Sequence, residues 1–157
     1  MKAISLWEPW ASLVYTGAKR YETRPWRTNY RGPLVICAAK AGVSKSELIY
    51  LLSCWNFQGA LAPLVGKPLD LGAKSWPGVE IEHLQFGKAL CIVDLVNCIR
   101  TEDLTFGQIE SEKTFGNFSP GRWAWELENL YQLKKPFPVR GHQGFFEVDV
   151  EEVGNLE

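Results

Sequence analysis

The spacing of apolar and polar positions changes several times along the chain, and each change marks an element. Lys2 to Leu6 alternates loosely and predicts a short opening strand. Behind it, Trp10, Leu13, Val14 and Gly17 fall at i, i+3, i+4 and i+7. Pro9 suits a first helical position and Gly17 lies just past the end, so a helix of about two turns is predicted. Arg20 to Trp26 alternates again, Tyr21 and Thr23 against Glu22 and Arg24, and Pro25 confines that strand to an edge or an end. Pro33 to Ala39 is a nearly continuous apolar run, as in a strand buried on both faces. Ser44 and Glu47 have capping-box spacing ahead of Leu48, Leu51, Leu52 and Trp55, which predicts a second helix from Ser46 to about Asn56.

From Phe57 to Phe86 the pattern dissolves. Pro63, Gly66, Pro68 and Gly72 are followed by Trp76-Pro77-Gly78, which predicts a long irregular excursion. Ala89 to Ile99 reads as a central strand. Its one acid, Asp94, is read as a carboxylate accepting hydrogen bonds at a bend. Thr101 to Glu112 is acidic with weak helical spacing. Arg122 to Leu130 then alternates, placing Trp123, Trp125 and Leu127 on a core side and Arg122 on the other. A last strand, Gly144 to Val150, follows the turn-prone stretch Pro136 to Gly141. About six strands with two short helices inserted predict an α+β domain over residues 1–157, built on a small, strongly curved sheet or β-barrel.

Composition narrows the partners. A formal net charge of −1 excludes a protein that coats duplex nucleic acid through a broad cationic surplus. The cations are nevertheless clustered, five between Lys19 and Arg31, and three with a histidine between Lys134 and His142. Seven Trp, eight Phe and five Tyr are enough to serve a core and a stacking surface as well. The N-terminal apolar run is broken by Ser5, Glu8 and Pro9, so neither a signal peptide nor a membrane span is expected. Cys37, Cys54, Cys91 and Cys98 lie in apolar segments without a Cys-x-x-Cys pair and are read as reduced residues of a cytoplasmic protein. His83 and His142 are too poor in neighbouring ligands for a metal site, and no phosphate-binding or dinucleotide loop is present, so no metal and no cofactor is expected.

Gly17-Ala18-Lys19-Arg20-Tyr21-Glu22-Thr23-Arg24 completes the pattern Gly-x-Lys-x-x-Glu-x-Arg and resembles the signature of the ASCH domain. Ser5 to Ala11, with Pro9-Trp10-Ala11, resembles the opening of that family. Gly32 to Ile36 resembles its following strand, and Gly121 to Asn129 with Gly144-Phe145-Phe146 its C-terminal strands. The resemblance implies a PUA-like β-barrel with a cleft beside the signature, and nucleic-acid binding as the function. It also implies an alternative, since some small relatives are amidohydrolases that deacetylate N4-acetylcytidine with a Lys, a Thr three residues later and a Glu. Lys19 matches that Lys, Glu22 stands where the Thr would be, and Glu110 or Glu112 falls at the third position.

The expected ligand is single-stranded RNA or another nucleic acid, or one modified nucleotide. Trp7 and Trp26, at element ends, are the stacking candidates. Lys19, Arg24 and Arg122 are the polar contacts, Arg24 having the fork for bidentate phosphate contact. Lys19 and Glu22 are the catalytic pair of the alternative, a metal-independent amidohydrolase or ribonuclease. A protein-interaction module whose cleft takes a peptide is a third reading.

Overall fold

The alternation of Lys2–Leu6 is realised as strand β1, with Ala3 buried on one side and Ile4 and Leu6 on the other. The computed structural model describes residues 1–66 and 78–149. Helix α1 (Trp10–Tyr15) buries Ala11, Ser12, Leu13 and Val14, and ends at Gly17, whose φ of +85° only glycine adopts without strain. Leu13 and Val14 are each worth about 1.5–3 kcal/mol by burial, and they fix α1 in two different cores. Strand β2 (Tyr21–Arg24) alternates as the sequence predicts, Tyr21 and Thr23 in, Glu22 and Arg24 half-buried outside. Strand β3 (Gly32–Ala38) is buried on both faces.

Ser44 caps helix α2 (Lys45–Ser53), its hydroxyl accepting from the Glu47 N–H at 3.2 Å. The helix stops at Ser53, short of Asn56, because Cys54 turns to an extended conformation. A new helix, α3 (Trp55–Leu61), follows at once and runs into a 3-10 turn over Ala62–Val65, so the predicted irregular stretch begins with ordered structure. Its Pro68, Gly72 and Trp76-Pro77 lie outside the described residues. The side chain of buried Gln58 ties the two ends of the stretch together, donating to Leu52 O and Val79 O at 2.6 and 2.8 Å and accepting from Val79 N–H at 2.9 Å.

Strand β4 (Lys88–Arg100) and strand β5 (Trp123–Pro138) form the long centre of the sheet, joined by 3-10 turns and the short helix α4 (Phe106–Ile109). β5 continues through Pro136 and Pro138, where a turn is predicted. β6 shrinks to Phe146–Glu147. Asp94 accepts from Asn129 Nδ2 at 2.9 Å, where the β4–β5 register shifts. Cys37 and Cys91 are buried, Cys54 and Cys98 half-buried, and all four thiols are free. Among the described residues no single helix is long and apolar enough to cross a membrane.

The predicted barrel is not formed. The sheet has the linear order β2-β5-β4-β3-β1-β6, all pairs antiparallel except β1 with β3. Three register shifts between β4 and β5 and one between β3 and β4 curl it. Closure would need a ladder between the end strands. β2 has four residues and stops before Pro25, which has no N–H to give, and β6 has two. Side chains bridge the two ends instead. Arg24 on β2 reaches Ser5 O of β1 at 3.5 Å, and Trp125 stacks on Phe145, beside β6, at 5.6 Å. The curl stays open between the edges.

Candidate functional site

The open side of the curl is a cleft of about 880 Å³ between β1, the end of β2 and the segment following β5. Three of the sequence-predicted binding residues meet there, Trp7, Arg24 and Trp26. Trp7 follows β1 and its indole backs onto Gly42, and Trp26 follows Pro25. Both rings keep about half their surface free, at 54% and 49%, which is unusual for tryptophan in a small domain and costs apolar burial. Arg24 lies between the two walls, its guanidinium carbon 5.5 Å from the Trp26 ring and 5.6 Å from that of Trp125, with Glu22 3.8 Å from its Nε.

Residues the sequence reasoning did not single out complete the cleft. Lys40, Arg140 and His142 join Arg24 on its walls, and among the described residues no carboxylate lines it. A chain with net charge −1 thus has a cationic cleft. The signal was present in the basic run Lys134 to His142, although not its destination. Small residues, among them Ala38, Ala39, Gly87 and Gly141, make up much of the floor. At Gly141 a methyl group would stand 2.6 Å from Ser5 Oγ, so a larger residue there would have to turn the Ser5 hydroxyl aside. That Ser5 hydroxyl is buried without a hydrogen-bond partner.

The other predicted residues, Lys19, Glu22 and Arg122, line a separate recess of about 340 Å³ together with Thr23. Lys19 is only 3% exposed. Its Nζ donates to Tyr21 O at 2.6 Å and to Phe115 O at 2.9 Å, holding the 113–117 segment against the start of β2. Arg122 does similar work from the other side, donating to Asn117 O and Thr23 O at 3.1 and 3.2 Å. The turn after α1 brings Lys19 and Glu22 to one recess, while the hydrogen-bonding and ion-pair partners given above are backbone carbonyls for Lys19 and Arg24 for Glu22.

Two buried carboxylates support this region. Glu112, 1% exposed, accepts the N–H groups of Arg20 and Tyr21 on one oxygen at 2.7 and 3.0 Å, with the Arg20 guanidinium 3.8 Å from the other. Of Glu110 and Glu112, it is thus Glu112 that touches the signature segment. Glu8 accepts from Ser12 N–H, Ser12 Oγ and Gln85 N–H at 2.8, 2.6 and 3.0 Å, fixing the entry to α1. Burial pushes its carboxyl above the ordinary glutamate value, the Ser12 and Gln85 bonds opposing that only in part.

Activating signal cointegrator 1 from Mus musculus and from Homo sapiens are each 27% identical over 148 residues, covering 93% of this chain and 22% of theirs. The chain therefore spans about a fifth of the length of these curated relatives. The family model described as the ASCH domain matches residues 4–137, so the chain belongs to the ASCH domain family, within the PUA-like superfamily.

Proposed function

We propose that this domain binds single-stranded nucleic acid, RNA in the first instance, by holding one unpaired nucleotide in the cleft between Trp7 and Trp26. The observation that carries the reading is the pairing of two half-exposed indoles with Arg24, Lys40 and Arg140 around a cleft that no carboxylate lines among the described residues. Flat apolar rings stack on a base of any sequence, and the guanidinium forks take phosphate oxygens. The general association of ASCH domains with nucleic-acid binding supports the same reading. A duplex keeps its bases stacked on one another, so the cleft fits an unpaired base.

Binding of a labelled single-stranded RNA of about eight nucleotides, followed by fluorescence anisotropy, tests this. Trp7→Ala and Trp26→Ala remove exposed rings, so the fold tolerates them, and each weakens binding by about 1–3 kcal/mol. Unchanged affinity in both variants sinks the reading.

Hydrolysis is a second reading, favoured by one observation: Lys19, Glu22 and Thr23 line a common recess. It concerns a different recess from the stacking cleft. Release of acetate from N4-acetylcytidine that disappears in Glu22→Gln, with RNA binding retained, would establish it.

A further inference from the structure

Arg24, which lines the cleft, also belongs to a second cluster of rings and cations on the sheet. In the register of the sheet, Arg24 of β2 and Arg100 of β4 lie directly opposite Trp123 of β5, one on each side. Directly opposite residues project to the same face, so Arg24, Trp123 and Arg100 form one row across three strands at the open end of the curl. The Arg100 guanidinium carbon is 5.2 Å from the Trp123 ring centroid. That of Arg27, next in sequence to Trp26, is 5.8 Å away. Trp123 is half-buried, packed against the edge of the core that encloses Trp125, while Arg27 and Arg100 are exposed. Glu102, 4.0 Å from Arg100, is itself engaged by the Gly121 N–H at 2.9 Å, so it offsets that arginine only in part.

An indole with two guanidinium groups within about 6 Å of its ring, about one strand spacing from an arginine that already lines the cleft, repeats the chemistry of the cleft itself. Cations interleaved with aromatic faces suit a polymer of bases and phosphates, each ring taking a base and each cation the phosphate between bases. A free nucleoside would leave this row without a role. We infer that the cleft's ligand is a strand rather than a free nucleoside or nucleotide. Trp123, with Arg27 and Arg100, is a second stacking station for the nucleotide adjoining the one in the cleft. Arg24 belongs to both stations and sets the path between them. The inference rests on the cleft being a nucleotide site.

The test compares adenosine 5′-monophosphate with single-stranded oligoadenylates of increasing length, by calorimetry at low salt on the whole chain. Affinity rises at least about tenfold from the mononucleotide to a tetranucleotide, since a second stacked base and its phosphate are added. The double variant Arg27→Gln/Arg100→Gln alters only exposed side chains. It lowers tetranucleotide affinity about tenfold and leaves the mononucleotide unchanged. Trp123→Phe, which keeps a ring against the core, has a smaller effect in the same direction. Affinity that stays flat with length, while the mononucleotide still binds in a Trp26-dependent way, overturns the second station and leaves the cleft reading standing. A double variant that weakens both ligands equally also overturns it. Failure of every probe to bind overturns the cleft reading and this inference together.

Discussion

At the scale of single residues the signature divides into buried side chains that support and side chains that line the cleft or the recess beside it. Lys19 is buried and its ammonium is spent on two carbonyls, and Glu112 spends one carboxylate oxygen on the N–H groups of the next two residues. Together they fix the backbone from which Glu22 and Arg24 project. Removing the Glu112 side chain would leave the buried Tyr21 N–H and the part-buried Arg20 N–H without their acceptor, the buried one costing about 1–3 kcal/mol and the other less. Glu112→Ala is accordingly expected to destabilise the fold by roughly 3 kcal/mol in urea denaturation, and Glu112→Gln, which keeps an acceptor at Oε1, by much less. Equal losses in the two variants would mean that the charge matters rather than the acceptor. The sequence shows Lys19 as the most reactive-looking residue of the motif because ammonium and carboxylate lie three apart. Which carbonyl or carboxylate each meets depends on a segment some ninety residues away, and no local pattern carries that information.

At the scale of elements, helix α1 is the hinge between the cores and is anchored by Glu8, so its stability should depend on acid in an unusual direction. Carboxylates paired with cations are stabilised as anions, but the buried Glu8 holds its proton to higher pH in the fold than in the unfolded chain, where its value is near 4.5. Its contribution therefore favours folding fully below about pH 4.5 and is lost as pH rises through the raised value. The difference in melting temperature between the wild type and Glu8→Gln is expected to fall as pH rises through that window. A difference that grows with pH would reverse the sign and refute the assignment. Elements set by their own sequence were legible in advance, β1 and β2 by alternation, β3 by its continuous apolar run, α2 by Ser44 and Glu47. Those set by their neighbours were not. Nothing local carries β5 through Pro136 to Pro138, where pairing with Lys88 and Ala89 of β4 holds it extended. α3 is seven residues long, contains Gly59 and has no side-chain cap, so its Phe57 and Leu61 look like a loop until they are seen packed against Leu48, Leu52 and Phe115.

At the scale of the whole molecule the question is how a chain of net charge −1 would attract the polyanion proposed for it. Acidic residues gather around the 102–112 segment, while Arg24, Lys40 and Arg140 converge on the cleft from three separate parts of the sequence and Arg27 and Arg100 extend the same field along the sheet end. The open curl makes that convergence possible. A closed barrel would pair β2 with β6 and fill with a ladder the gap that Arg24 and Trp26 now line. In the proposed complex association is driven by a local field rather than by total charge, and each phosphate neutralised on a single strand releases about 0.7 of a counterion. For a ligand confined to the cleft, with three cations engaged, the plot of log affinity against log salt should have a slope of about −2. One that also reaches Arg27 and Arg100, five cations in all, should steepen it to about −3.5. Titrating a single strand of about eight nucleotides at several salt concentrations measures the slope directly, and Arg27→Gln/Arg100→Gln should return it toward −2. A slope near zero would remove phosphate contact from the account and leave stacking alone, which two half-exposed tryptophans cannot make selective for a strand over a nucleoside.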